Sequence, residues 1–154
     1  MGEQAIIDTL SSIDTSISDP DAAMILSTMV SRLVELNPEK AWDLVDNMNI
    51  NLETKQQFRV SVIANWANQS PSKALDWYIN NASLTSGSLE NNIYPLLIFR
   101  EMASEDIDSA FQSIALLESE NLKSAAYSGI FSVLETSEQF RDMLSLVKRS
   151  DDKR

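Results

Sequence analysis

The chain has 154 residues, enough for one domain whose core is shared among several small elements. A hydrophobic fraction of 44% excludes an intrinsically disordered chain, and 3 glycines with 4 prolines argue against a turn-rich β-sandwich, leaving an all-α fold. Twelve Lys and Arg against 23 Asp and Glu give a net charge of −11, a field that repels nucleic-acid phosphates and anionic lipid; a basic peptide or protein surface is the more compatible partner, although such acidity more often serves plain solubility.

The chain has neither cysteine nor histidine. Disulfides, thiolate nucleophiles, thiolate or imidazole metal sites and the Ser-His-Asp and Cys-His arrangements are therefore excluded, and no cofactor is expected. No run approaches the roughly 18 apolar residues of a spanning helix, so no membrane insertion is expected. The first ten residues, MGEQAIIDTL, lack the basic start and apolar centre of a signal peptide. The compartment stays open, with the cytoplasm as default; a Met1-Gly2 start also fits a piece of a longer protein whose address lies elsewhere.

In chain order, Ala5, Ile6, Leu10, Ile13 and Ile17 share one face of a helix near 4–18, read as a cap over the end of a helical stack. Asp19-Pro20 starts a second helix with Leu26, Met29, Val30, Leu33 and Leu36 on its apolar side. Asn37-Pro38 repeats that start signal, and Ala41, Trp42, Val45 and Met48 give the third helix its face. A fourth helix over 52–68 places Phe58, Val62, Ile63, Trp66 and Ala67 on one stripe; Ser70-Pro71 turns the corner into a fifth with Ala74, Leu75, Tyr78 and Ile79.

The segment LTSGS, 84–88, reads as the linker of the chain. A sixth helix over 88–103 carries Tyr94, Leu97, Ile98, Phe99 and Met102, with Pro95 expected to kink it or delay its start. The seventh, 105–117, shows Ala110, Phe111, Ile114 and Leu117; the eighth, 120–135, shows Leu122, Ala126, Ile130, Val133 and Leu134. Thr136-Ser137-Glu138-Gln139 is a capping-box pattern introducing a last helix with Phe140, Met143, Leu144 and Val147.

Reading Asn37, Ser70, Ser104 and Thr136 as corner caps spaces the corners 33, 34 and 32 residues apart. Such a period belongs to helical hairpins that must stack to bury their apolar faces. The expected architecture is an α-solenoid of one domain, 1–154, with hairpins at about 21–48, 52–82, 88–118 and 120–148 behind an N-terminal cap helix.

Ala41, Ala74 and Ala110 fall at equivalent places, followed at the fourth residue by Val45, Tyr78 and Ile114 and at the seventh by Met48, Asn81 and Leu117. In this the second helices resemble those of tetratricopeptide repeats. Phe58 and Tyr94 stand where that family has its early aromatic residue, whereas Met29, Val62 and Ile98 fill its small position; HEAT-type hairpins are the nearest competitor. The phrase WANQSPSKALDW is also similar to helical repeats of bacterial proteins. The resemblance implies a concave groove lined by the first helices and used to take up peptides. Polar residues on those helices are then the candidate binding set: Arg32, Gln56, Arg59, Asn65, Asn92 and Arg100.

Arg59 and Arg100, cations in an acidic chain, could clamp a ligand carboxylate, although neighbouring Asp or Glu side chains are the simpler partners. Acidic pairs such as Glu101 with Glu105 and Asp106 with Asp108 read as solvated faces or helix-start charges rather than as acid–base chemistry. Trp42 and Trp66 sit on apolar stripes and read as core, whereas Trp77 lies between stripe and polar face. The function expected is a non-catalytic scaffold that binds a protein or peptide through one face. The alternative is an assembly segment of a larger bacterial polypeptide with no ligand of its own.

Overall fold

The computed structural model describes residues 2–12, 20–81 and 90–152, and every regular element among them is helical. In order they are α1 (Glu3–Ser12), α2 (Pro20–Leu36), α3 (Pro38–Asn47), α4 (Leu52–Gln69), α5 (Pro71–Asn80), α6 (Glu90–Glu105), α7 (Ile107–Ser113) with a 3-10 turn (Ile114–Leu116), α8 (Glu120–Phe131) and α9 (Ser137–Asp152). The linker 84–88, Asp19 and the expected continuation of the first helix through Ile13 and Ile17 lie outside the described residues.

The helix starts follow from local chemistry. Asn37 accepts from the Lys40 N–H at 3.2 Å ahead of Pro38, and Asn51, which the corner pattern did not single out, accepts from the Thr54 N–H at 2.8 Å. The Thr136 box is reciprocal: the Gln139 N–H donates to Thr136 Oγ1 at 3.2 Å, and the Thr136 N–H donates to Gln139 Oε1 at 3.0 Å.

Two sequence expectations need correction. Ser104 is not a corner cap: it lies inside α6 and donates to the Arg100 carbonyl, while Asp106 caps α7 by accepting from the Ser109 N–H at 3.2 Å. A carboxylate is acceptor-only and outcompetes a hydroxyl that the preceding turn already occupies. Ser70 to Asp106 is then 36 residues and Asp106 to Thr136 is 30, so the corner interval is looser than the sequence reading made it. Helix α8 also stops at Phe131 rather than near 135. The Val133 and Leu134 N–H groups fold back to the Ile130 and Phe131 carbonyls, and Gln139 takes the Glu135 N–H at 2.8 Å.

The chain divides into two compact units, Met1–Ser70 and Pro71–Arg154, so the expected hairpin 52–82 contributes α4 to the first and α5 to the second. In the first unit α2 packs on α1, α3 and α4, and α3 packs on α4. Its core holds Leu26, Val30, Leu33, Trp42, Val45, Val62, Ile63 and Trp66 of the expected stripes, together with Val34, which they did not include, while Leu36, expected on the apolar side of α2, is 42% exposed at the last residue of the helix. Ala41 is fully buried, and an ion pair from Lys40 to Glu3 ties α3 to α1.

In the second unit α6 packs on α5, α7 and α8. Tyr78 of α5 meets Tyr94 of α6 edge-on, with centroids 6.2 Å apart, and Phe111 of α7 meets Tyr127 of α8 at 6.0 Å. Ala74 and Ala110 are fully buried. Pro95 lies inside α6 and is buried. Gly129 of α8 sits against the α6 backbone so closely that a Cβ there would lie 2.3 Å from the Leu96 carbonyl oxygen. Phe131 of α8 stacks on Phe140 of α9 at 6.1 Å, and Met143 of α9 is fully buried.

Candidate functional site

Helices α2 and α4 run side by side in the same direction. Asn65 of α4 donates to Ser31 of α2 at 3.5 Å and to Ser61 of its own helix at 3.4 Å, while Ala23 and Thr54, near the two helix starts, face a common space at the other end. Between these ends lies a groove of about 300 Å³ lined by Ala23, Ser27, Thr54, Gln57, Phe58 and Ser61. Its size is at the low end of the ligand-pocket range of about 300–1,000 Å³. It suits one or two side chains better than a whole small molecule.

The groove follows from small residues at helical spacing. Ala23, Ser27 and Ser31 recur every fourth residue on α2, so no large side chain fills the space toward α4. Across it, Thr54, Ser61 and Asn65 form the matching row, and Phe58, 8% exposed, supplies an apolar floor. Met24, 68% exposed, stands one residue from the lining on the α2 side. Exposed Asp21 and Glu53 lie in the first turns of α2 and α4, at the same end of the groove.

The structure places the sequence candidates differently from one another. Asn65 belongs to the α2–α4 seam. Arg32 is exposed on α2 and paired with Glu35, and Gln56 is half-buried on α4. Arg59 turns toward α3 rather than the groove: its side chain is only 16% exposed, pairs with Asp46 and lies over the Trp42 ring, with Cζ 5.6 Å from the centroid. Lys55, one turn earlier, donates to the Asp46 carbonyl at 2.9 Å, so two cations hold the C-terminal turn of α3. The neighbouring-carboxylate reading thus describes Arg59.

Asn92 and Arg100 sit on α6 in the second unit, with Asn92 exposed and Arg100 3.3 Å from Glu101. No family model, curated protein or solved structure matches this chain significantly. Sequence reasoning missed Ser27, Thr54, Gln57 and Ser61; the four-residue spacing of Ala23, Ser27 and Ser31 was the available signal. Among the described residues no group of three or more Asp or Glu side chains is placed to hold a metal ion, and no helix is long and apolar enough to cross a membrane.

Proposed function

We propose that the chain is a non-catalytic protein-interaction module, an α-solenoid whose α2–α4 groove takes an amphipathic segment of a basic partner. The observation that carries this reading is the groove itself: an apolar floor at Phe58 between rows of hydroxyl and amide groups, with Asp21 and Glu53 at one end. Such a surface suits an apolar anchor flanked by cations. The solenoid part draws support from packing inside each unit, where helices contact both the next helix and the one after it, as α2 does α3 and α4, and α6 does α7 and α8. Tetratricopeptide-like spacing around Ala41, Ala74 and Ala110 points the same way, and all three are fully buried.

Selection of displayed peptides on the intact chain, followed by fluorescence anisotropy of those recovered, tests the reading. Basic peptides with an apolar anchor are expected, and Ser61→Arg, which fills and charges the groove, should weaken their binding tenfold or more. Equal binding by parent and Ser61→Arg would remove the groove from the function.

A further inference from the structure

The cations of this acidic chain are unevenly placed. Residues 1–70 contain 4 Lys and Arg against 10 Asp and Glu, whereas α9, Ser137–Asp152, contains 3 against 4. The first stretch therefore carries −6 and α9 only −1. The apolar face of α9 is only partly covered: Met143 is fully buried, but Phe140 and Leu144 are 43% and 53% exposed.

Helical spacing puts exposed Arg141 and Lys148 beside Leu144, at three residues before it and four after. Phe140, Arg141, Leu144 and Lys148 thus form one ridge with apolar anchors on one side and cations on the other. This is the chemistry that the α2–α4 groove suits. The lengths also agree, because Arg141 to Lys148 and Thr54 to Ser61 each span seven residues, or about 10 Å of helix.

We infer that the partner of the groove is a second copy of this chain, which presents its α9 ridge. Leu144 seats over Phe58, and Lys148 meets the carboxylates of Asp21 and Glu53. The contact is head-to-tail, since groove and ridge are different surfaces, so it need not close at a dimer. It rests on the groove reading above and gives that reading a specific occupant.

Sedimentation equilibrium of the intact chain from about 1 µM to 1 mM, the range over which weak contacts dissociate, provides the test. At about 0.05 M salt the mean mass is expected to rise with concentration above the 17.2 kDa of one chain, and at about 0.5 M to fall back toward it. Leu144→Asp, at an exposed position, should hold the chain monomeric with unchanged circular dichroism. Glu53→Lys and Lys148→Glu should each weaken association tenfold or more, and an equimolar mixture of the two should recover it. A monomer at every concentration, or association undiminished by Leu144→Asp, overturns the inference. If that monomer still binds selected peptides in a Ser61-sensitive way, the groove reading stands and only its occupant is wrong.

Discussion

Replacing Gly129 by Ala sets two physical effects against each other with opposite signs. In the last turn of α8 the substitution should stabilise the helix by at most about 1 kcal/mol, because glycine is the costlier residue there. Tertiary packing opposes this. The added Cβ would lie 2.3 Å from the Leu96 oxygen, 3.1 Å from the Leu96 carbonyl carbon and 3.0 Å from the Arg100 nitrogen. All three are backbone atoms of α6, so no rotamer change relieves the clash and the two helices must separate. Tyr94, Ile98 and Phe99 of α6 are fully buried and lose contact as they do so. Overpacking of this kind costs about 1–3 kcal/mol. Taking the upper end and subtracting the helix gain leaves a net loss of about 2 kcal/mol. Urea unfolding followed at 222 nm checks the value, with Ser128→Ala, exposed on the same helix, as control. The control should be neutral or gain up to about 0.5 kcal/mol. A Gly129→Ala protein as stable as the parent would refute the close α6–α8 approach.

Trp42→Ala removes a side chain 1% exposed and the ring beneath Arg59, and should cost about 3–5 kcal/mol by the same denaturation measurement. Asp46→Asn should cost about 1–2 kcal/mol because it weakens a pair whose arginine is largely buried, whereas Arg32→Ala, from a pair exposed by 53% on both sides, should stay within about 0.5 kcal/mol; comparing their urea midpoints checks the ranking. Asp106→Ala should lose about 1 kcal/mol through the α7 cap, while Ser104→Ala, at the position first read as the cap, should be neutral or slightly stabilising.

Sequence pattern determined the all-α class and most of the buried stripes, because an apolar face repeating at 3.6 residues has one economical way to leave water. It also located α3, α4, α5 and α9, where Asn37-Pro38, Ser70-Pro71 and the Thr136 box act within a single turn of chain. Signals of that range are legible because their donors and acceptors lie within four residues of each other. Where two capping side chains compete two residues apart, as Ser104 and Asp106 do, the pattern is ambiguous and the hydrogen bonds decide.

The candidate site was less legible. For Arg59 a carboxylate partner was the simpler reading of the sequence, but which one was not legible: α3 brings Asp46 and Trp42 to it from 13 and 17 residues earlier. The groove, conversely, is made by what is missing. Ala23, Ser27 and Ser31 are small residues that carry no motif of their own, and they bound a groove only because α4 lies alongside with Thr54 and Ser61 facing them. The place of Gly129 against Leu96 exists only once α6 and α8 meet. Helix identity and the direction of each apolar face are thus properties of local sequence. Which faces meet, how closely, and which gap between them stays open depend on contacts between distant residues, and only the tertiary structure decides those.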